Sequence, residues 1–363
     1  MNIGDREIGN GEKCFIMVDI GVNHILEPED LQKTGLNSSL EVAFKLVDAA
    51  KEAGVDAVKF QSFKAEKLQL KGTKKPEYQN KAVGTDEEVN YFNLIKNLET
   101  SEEDQIKIAN YCKENDIMFL STPYDNDSVD FLDETIKVPA FKLASIELKN
   151  HLFFRYLAKK NKPIILSTGL GNLDDVKEII RIAKEENITD KLILLQCTSN
   201  YPTPAEEINL NVLKTYLKEF PEITFGLSDH SPTEIPSLGA IAIGADLVEK
   251  HFTLDKNFKG PDHAASLNPK EVTSWVSNIR EMEESMGSYK KEVTNIEKGN
   301  YSMKKFLVLK PMAAGSIITE DALETMRTGA GIEPVDVNLK NIIGKKLKEE
   351  TKDLTPLDWE MIE

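Results

Sequence analysis

The sequence predicts an α/β fold, a parallel (β/α)₈ TIM barrel followed by a small C-terminal β-rich domain. Short β-rich runs alternate with amphipathic helical stretches over most of the chain, which is typical of βα units. Polar residues come directly after these apolar runs, and the active site of an α/β barrel lies at the carboxyl ends of its strands. Together these observations indicate an enzyme.

The candidate strands and helices account for most of the first 286 residues. Stretches 40–53, 102–115, 172–186 and 275–286 repeat apolar residues with a helical period, and Ser101 is the expected N-cap of the second. Segments 25–38 and 63–100 are expected to be long loops, and both follow strands, so both should lie on the catalytic face. The candidate strands lie near 14–20, 55–61, 117–122, 139–144, 163–168, 192–198, 223–228 and 246–251.

The character of the chain changes after residue 286. Residues 287–302 are polar and irregular, which is typical of a linker, and residues 303–363 alternate short apolar runs with turns. The predicted organisation is therefore a barrel domain at 1–286, a linker at 287–302 and a small β-rich domain at 303–363.

Composition restricts the class of partner. The chain has 363 residues, 40% hydrophobic and 29% charged, with a formal net charge of −16, which argues against nucleic acid or an anionic membrane as the main partner. We find no apolar run long enough to span a membrane, and the N-terminus is too polar for a signal peptide. Three cysteines without metal-ligand spacing are expected to be buried free thiols in a reducing cytoplasm.

Two histidines form a candidate metal site. His230 and His251 end the seventh and eighth predicted strands, which are neighbours in a barrel, so both imidazoles are expected near one point. Two neutral imidazoles with open positions suit Mn²⁺, Zn²⁺ or Fe²⁺. The alternative is that each histidine forms a structural hydrogen bond with a nearby carboxylate, Asp229 or Glu249.

Lysines and hydroxyls at neighbouring strand ends form a candidate anion site. Four residues come from the second, third and fourth strands, where they are expected to hold a phosphate or a carboxylate: Lys59, Thr122, Lys142 and Ser145. Lys250 is expected to join the two other lysines in setting the field of the pocket. A Schiff base on either Lys59 or Lys142 is a different use, and extension of the lysines to solvent at the barrel mouth is the structural alternative.

Three turn-like motifs carry further candidates. His24 in G-V-N-H is either a ligand contact or a local cap, and Tyr201 begins the rigid segment Y-P-T-P, where its ring lies over a pocket or at a structural corner. Asp262 in G-P-D-H either accepts a hydrogen bond from a sugar hydroxyl or is a simple turn residue.

Nine short motifs, taken in order, resemble the sialic acid synthase family, which makes N-acetylneuraminic acid and its bacterial relatives legionaminic and pseudaminic acid. The resemblance covers nearly the whole chain, and the tail resembles the antifreeze-like (SAF) domain of that family. The motifs are G-V-N-H, V-K-F-Q, S-T-P-Y, F-K-L-A-S-I-E, I-L-S-T-G, Q-C-T-S-N-Y-P-T-P, G-L-S-D-H, E-K-H-F-T and G-P-D.

The resemblance implies an architecture, substrates and a set of site residues. It implies a domain-swapped homodimer that condenses phosphoenolpyruvate with an open-chain N-acyl hexosamine, with Mn²⁺ or Mg²⁺ bound by His230 and His251. The residues implied for phosphoenolpyruvate are Lys59, Thr122, Lys142, Ser145, Ser199 and Ser228. Those implied for the sugar are Asp19, Gln61, Tyr201, Asp262 and, from the partner chain, Arg327. Those implied for catalysis are Glu147, Lys142 and the two histidines.

The implied reaction explains these residue types. The C3 carbon of phosphoenolpyruvate attacks the sugar aldehyde, the resulting oxocarbenium takes up water, and phosphate leaves by C–O cleavage. A metal polarises the aldehyde oxygen, two lysines neutralise a phosphate and a carboxylate, and Glu147 manages protons, a contribution of about 10²–10⁴-fold in rate.

The chain departs from the family at the end where the sugar is expected. The first strand of the family usually ends in A-E-I-G-x-N-H, whereas here it reads V-D-I-G-V-N-H with the shorter Asp19. Segment 25–38 is longer than the short turn of the family, and Ser199 stands where Asn is often found. Two other functions were considered: a Schiff-base aldolase or lyase using Lys142 or Lys59, and a catalytically weakened sugar-binding protein.

Overall fold

The computed structural model describes residues 1–74, 90–299 and 303–363, and it divides into two compact units, Met1–Gly287 and Ser288–Glu363. The first unit contains every predicted barrel strand. We number these strands one to eight: Phe15–Gly21, Ala57–Ser62, Met118–Pro123, Phe141–Leu143, Ile164–Ser167, Leu192–Cys197, Thr224–Ser228 and Leu247–His251.

The strands form a parallel barrel that is nearly closed. Except for strands three and four, each strand pairs in parallel with its sequence neighbour, and strand eight also pairs with strand one, with Leu247 opposite Phe15 and His251 opposite Asp19. Strands three and four, both within the described residues, lie side by side but share no hydrogen-bonded ladder. The barrel therefore has one seam, and the predicted fold class is confirmed.

Helices cover the outside of the barrel, as βα units require. Ser101 accepts a hydrogen bond from the backbone N–H of Asp104 at 3.1 Å and so caps its helix as predicted. A π-helix, Phe131–Ile136, leads into strand four, and 3₁₀ turns lie at Ser145–Glu147, Thr189–Lys191, Ala205–Glu207 and His263–Ala265. The α-helices are Pro28–Thr34, Ser39–Ala53, Ala65–Leu68, Tyr91–Asn97, Glu102–Glu114, Asn126–Asp130, His151–Ala158, Leu173–Glu185, Asn211–Glu219, Ile235–Ile243 and Pro269–Met286.

The two segments predicted to be long loops contain helices. Segment 25–38 holds the helix Pro28–Thr34, with Pro28 at its first turn and Gly35 in the left-handed conformation at its end. Segment 63–100 holds Ala65–Leu68 and Tyr91–Asn97, whereas its part at 75–89 lies outside the described residues. The loop prediction was therefore wrong for 28–34, because a helix this short shows little apolar periodicity.

A hairpin that the sequence analysis missed closes the amino end of the barrel. Strands Asn2–Ile3 and Arg6–Glu7 pair antiparallel, with Ile3 opposite Arg6. Ile3 and Ile8 are fully buried in one apolar cluster with side chains from the barrel interior. Those interior partners are Phe15, Met17, Ala57, Leu120, Ala140, Ile165, Ile193, Leu195 and Leu247.

The second unit is small and β-rich, as predicted. Strand Phe306–Leu309 lies between Leu323–Met326 and Thr355–Pro356 in an antiparallel sheet, and the helix Asp336–Ile342 belongs to the same unit. Its core consists of Leu307, Leu309, Ile318, Ile332, Ile342, Leu347 and Leu357. The SAF assignment of this unit and the linker bounds stay predictions, and residues 300–302 of that linker lie outside the described residues.

Two further findings concern the whole chain. Cys14, Cys112 and Cys197 are all buried free thiols, as expected. Over residues 1–74, 90–299 and 303–363, none of the helices has the length and apolar character needed to cross a bilayer.

Candidate functional site

Most of the predicted site residues line one cavity of about 650 Å³ at the carboxyl ends of the barrel strands. They reach it because alternate residues of each strand face the barrel interior, and the last inward residue of a strand lies at the mouth. The predicted residues in its wall are Asp19, Lys59, Gln61, Thr122, Lys142, Ser145, Ser199, Tyr201, Ser228, His230, His251 and Asp262.

Lys59 forms the first of two buried ion pairs in the cavity. Its Nζ lies 2.6 Å from Asp19 Oδ2 and donates to Thr122 Oγ1 at 3.2 Å. Burial alone would lower the pKa of Lys59, but the carboxylates of Asp19 and Glu249 outweigh this effect and raise it. Lys59 is therefore a buried cation, held in place by Asp19 and Thr122.

Lys142 belongs to a second pair, with Glu249. Its Nζ donates to Ser167 Oγ at 2.7 Å and lies 3.6 Å from Glu249 Oε1, which in turn accepts from Ser228 Oγ at 3.0 Å. Burial lowers the pKa of Lys142. Burial would raise the pKa of Glu249, yet Lys142 and Lys59 outweigh it and hold that pKa at about 2. Glu249 is thus an ionised carboxylate, and its Oε2 lacks a hydrogen-bond partner among the described residues.

His230 and His251 lie together, with their ring centroids 5.3 Å apart. Tyr201 packs against both, at 4.1 Å from His230 and 5.3 Å from His251. His230 Nδ1 is 2.8 Å from the carbonyl oxygen of Thr198 and must donate to it, so in the neutral ring the lone pair lies on Nε2. Burial would lower the pKa of His230, but the neighbouring Cys197 outweighs this effect and raises it. Burial lowers the pKa of His251 to about 4, so this imidazole is neutral at physiological pH.

The donor set fits an exchangeable divalent cation better than a closed structural site. Within the described residues, no cluster of three or more His, Cys, Asp or Glu side chains has the geometry of a metal site. Two imidazoles remain, and Asp19 Oδ2 lies 3.6 Å from His251 Nε2. Imidazole nitrogens with open positions suit Mn²⁺ better than Mg²⁺, which prefers oxygen ligands, and the predicted Mn²⁺ or Mg²⁺ stays a prediction.

Of the two glutamates named in the sequence analysis, Glu249 lines the cavity and Glu147 does not, and the catalytic role of Glu147 stays a prediction. Glu147 lies in the turn Ser145–Glu147, accepts a hydrogen bond from Asn150 Nδ2 at 2.7 Å, and is not among the residues that line the cavity. Burial raises its pKa. Glu249 lines the cavity but was considered only as a structural partner of a histidine. The signal was available, because Glu249 and His251 are two residues apart on one strand and so share a face.

Lys250 does not join the other two lysines, and that expectation was wrong. It is 1% exposed, pairs with Asp229 Oδ2 at 3.0 Å, and donates to the carbonyl oxygens of Ser231 and Thr233. It follows Glu249 on strand eight, and successive side chains of a strand point to opposite faces. Lys250 therefore points out of the barrel and has a structural partner.

Of two further predicted residues, Arg327 belongs to the second unit and His24 to the core of the first. Arg327 directly follows the strand Leu323–Met326 of the second unit and is exposed, and its reach into a partner chain stays a prediction. His24 is buried beside the first strand, with Nε2 2.9 Å from Thr100 Oγ1 and its ring 5.3 Å from that of Phe60. Burial lowers the pKa of His24 to about 4, so it is a neutral core histidine.

The cavity wall also has an apolar part, whose individual residues the sequence analysis did not name. It is formed by side chains after strands one, two and three and by the helix Tyr91–Asn97, in agreement with the expectation that segment 63–100 lies on the catalytic face. Burial raises the pKa of Tyr91. These residues are Val22, Phe63, Leu68, Tyr91, Ile95, Leu98 and Tyr124.

Comparison with known proteins gives consistent matches. The sequence profile of the NeuB family matches residues 46–291. The N,N'-diacetyllegionaminic acid synthase of Legionella pneumophila is 36% identical over 365 residues, covering 99% of this chain and 98% of that protein. The synthase of the same name from Campylobacter jejuni is 37% identical over 348 residues, covering 93% and 98%.

A solved structure matches as well. The N-acetylneuraminic acid synthetase of Leptospira borgpetersenii, crystallised with citrate, superimposes with a TM-score of 0.69 at 27% identity. The match covers 82% of this chain and 94% of that one. These findings confirm the fold and the family that the nine motifs indicated.

Proposed function

The chain belongs to the NeuB family of sialic-acid-type synthases, and on that premise we propose that it condenses phosphoenolpyruvate with an open-chain N-acyl mannosamine-type sugar. Water is the third reactant, and the products are a nine-carbon 2-keto acid and phosphate. The observation that carries the proposal is the pair of buried lysines, Lys59 and Lys142, whose ammonium groups lie in one cavity beside several hydroxyls.

Two lysines match the two anionic groups of phosphoenolpyruvate. Lys59 and Thr122 are placed to hold one anionic group, and Lys142 with Ser167 and Ser228 the other, because ammonium and hydroxyl groups donate hydrogen bonds to oxyanions. A low-dielectric cavity strengthens these interactions relative to water.

The condensation requires a site that binds the anionic groups of phosphoenolpyruvate and a negatively charged side chain near the reacting carbons. C3 of phosphoenolpyruvate forms a bond to the aldehyde carbon, and the aldehyde oxygen takes a proton. Positive charge develops at C2, which water attacks, and the C2–O bond to phosphate then breaks. The ionised Glu249 stabilises positive charge at C2, and the proton that the attacking water loses balances the one that the aldehyde oxygen takes up. Glu147 would need to act from outside the cavity wall.

His230 and His251 are the residues that would hold the divalent cation. When bound, the cation supplies polarisation of the aldehyde and charge neutralisation, worth several kcal/mol. The rest of the site acts through its own side chains. Tyr201 holds both imidazole rings in place, and Asp19 holds Lys59, so the donors are oriented before substrate arrives.

The proposed sugar is 2,4-diacetamido-2,4,6-trideoxymannose. Two relatives covered over nearly their full length are named N,N'-diacetyllegionaminic acid synthases. The apolar wall also supports a 6-deoxy sugar, because the sugar's methyl group and acetyl groups favour contact with Phe63, Ile95 and Leu98 over water. Gln61, Asp262 and Tyr201 supply polar contacts for hydroxyl and amide groups.

The test is phosphate release from phosphoenolpyruvate with Mn²⁺ and either this sugar or N-acetylmannosamine. We expect turnover with the diacetamido sugar to be faster, and His251→Ala to abolish it. Phosphoenolpyruvate carrying ¹⁸O in the bridging position should deliver the label to phosphate. Label retained in the keto acid would contradict C–O cleavage, and faster turnover with N-acetylmannosamine would overturn the proposed sugar.

One observation favours a second candidate function, a Schiff-base aldolase. Burial lowers the pKa of Lys142, which favours a neutral, nucleophilic amine. Borohydride reduction in the presence of pyruvate would attach the substrate to Lys142 if this mechanism operated. We expect no such adduct, because Lys142 lies between Ser167 and the anionic Glu249 and is held as a donor. A total absence of phosphate release with a wide panel of sugars would instead favour a sugar-binding protein.

A further inference from the structure

The loop at 252–267, which follows strand eight, forms one wall of the cavity through Pro261 and Asp262. Its two ends lie together, since Phe252 and Leu267 form a parallel bridge. The loop also forms hydrogen bonds with the segment after strand one, which contains the helix Pro28–Thr34. These contacts lie outside the cavity, and they fix the loop in addition to the bridge between its own ends.

Asn23 anchors the ends of the loop. Its Nδ2 donates to the carbonyl oxygen of Phe252 at 2.9 Å and to Ser266 Oγ at 2.9 Å. Ser266 Oγ in turn donates to the carbonyl oxygen of Asp262 at 2.7 Å. Asn23 is 1% exposed, so these hydrogen bonds are shielded from water.

Asp30 anchors the tip of the loop. The backbone N–H of Lys259 donates to Asp30 Oδ2 at 2.8 Å, and Lys33 Nζ donates to Oδ1 at 2.6 Å. Asp30 is 1% exposed although it lies on a short peripheral helix. Hydrogen bonds to an ionised acceptor are about twice as strong as neutral ones, so this contact holds the backbone of Lys259 firmly.

The chain between Lys259 and His263 transmits that anchor to the cavity wall. A Cβ atom at Gly260 would lie 2.7 Å from Cδ2 of His263, so the backbone packs directly on the imidazole ring. His263 is itself fixed by Thr253, with Nδ1 and Oγ1 2.7 Å apart. Because the loop is tightly packed here, a shift of Lys259 would also move Asp262.

We propose that Asp30 is a positioning residue for the sugar substrate. Through the backbone of Lys259 it fixes Pro261 and Asp262 at the sugar end of the cavity, and it does so without lining the cavity. The lengthened segment 25–38 thereby acts on sugar binding. This inference rests on the proposed function, since it takes Asp262 to contact the sugar.

The test compares three variants of the full chain. Asp30→Ala removes the acceptor, whereas Asp30→Asn keeps an oxygen that can accept from the Lys259 N–H. Glu29→Gln is the matched control, because Glu29 lies on the same helix and contacts only the exposed Nζ of Lys259, at 3.2 Å, in a surface ion pair. Steady-state kinetics are measured for both substrates, and hydrogen exchange is measured on the peptide that contains 252–267.

Asp30→Ala should raise KM for the sugar about tenfold, with KM for phosphoenolpyruvate within twofold of wild type. Asp30→Asn should restore most of the sugar affinity, and Glu29→Gln should resemble wild type. Hydrogen exchange of the loop should be faster in Asp30→Ala alone. An equal rise in both KM values, or an unchanged sugar KM, would overturn the proposal.

The two failures can be told apart. If the wild type releases no phosphate with any sugar, the proposed function fails, while hydrogen exchange still tests the anchor without substrate. Unchanged exchange of the loop in Asp30→Ala would then overturn the inference by itself. If Asp30→Ala does not fold, Asp30→Glu displaces the carboxylate by one methylene group, and the same split between the two KM values is expected.

Discussion

At both ends of the barrel interior, alternate residues of each strand point inward. These inward side chains are apolar at the amino end and polar or charged at the carboxyl end. Met17 is followed two residues later by Asp19, Ala57 by Lys59, and Leu247 by Glu249, so each strand changes from apolar to charged along the same face. The amino end is filled and capped by Ile3 and Ile8, and the carboxyl end opens into the cavity. The difference indicates that one end stabilises the barrel while the other bears the desolvation cost of buried charge.

Gly226 shows how full the amino end is. A Cβ atom there would lie 2.1 Å from the carbonyl oxygen of Leu247 and 2.9 Å from Cδ2 of Leu195. Strand seven therefore has no side chain at this level, and its next inward residue is Ser228 at the mouth. At the amino end the space available for packing determines which residue fits, and at the carboxyl end the residues are those that line the proposed active site.

The largest expected effect comes from removing the second ion pair of the cavity. Lys142→Met combined with Glu249→Gln should lower the rate of phosphate release about 10³-fold or more. The double variant loses both the ammonium group that would bind an anionic group of the substrate and the ionised carboxylate. The free energy of unfolding should stay constant or rise by about 1–4 kcal/mol, since the pair is replaced by neutral groups. Phosphate-release kinetics and urea unfolding measure the two quantities. A loss of several kcal/mol in stability would show that charge also supports the carboxyl end.

The outward-facing Lys250 should behave in the opposite way. Lys250→Met leaves Asp229 as a buried carboxylate without its ammonium partner, so the free energy of unfolding should fall by about 3–5 kcal/mol. Urea unfolding checks this value, and KM for phosphoenolpyruvate should stay within threefold of wild type. A large rise in that KM would contradict the outward placement.

The amino end should respond to lost packing alone. Ile8→Ala should reduce the free energy of unfolding by about 2–4 kcal/mol, because the residue is fully buried against the barrel interior. Activity per folded molecule should not change. Leu152→Ala is the control, since Leu152 is 85% exposed and its truncation should cost less than about 0.5 kcal/mol. Altered kinetics in Ile8→Ala would mean that the two ends are coupled.

The smallest effect concerns Asp246, which directly precedes strand eight at the amino end. Burial raises its pKa to about 6, so the folded state binds this proton more tightly than the unfolded state does. Its contribution to stability is complete below the unfolded pKa of about 4 and is lost as the pH rises to about 6. Asp246→Asn should therefore add about 2–3 kcal/mol at pH 7.5 and little at pH 4. Thermal unfolding at both pH values checks this, and an equal gain at both would contradict it.

The barrel was predictable because its signals are local. Strand runs such as Leu192–Cys197 are short, apolar and bounded by turns, and Ser101 and Asn172 mark helix starts. Most site residues follow from the same rule, since they come last on their strands. The family resemblance then supplied their roles, which composition and spacing alone left open.

What the sequence did not reveal depends on contacts between distant segments. Ile3 and Ile8 are isolated apolar residues in a polar stretch, and only the barrel interior explains their burial. Asp30 contacts Lys259, more than two hundred residues away, and nothing local marks either.

The seam between strands three and four has a consequence for how the barrel moves. A cylinder with one unpaired junction is an open sheet whose two edges have been brought together, and the edges are where thermal opening breaks the fewest backbone hydrogen bonds. Strand four, Phe141–Leu143, is one of these edges and carries Lys142. The lysine proposed to bind an anion of the substrate thus lies on a strand with a hydrogen-bonded ladder on one side only, and a bound anion would add a contact at that edge.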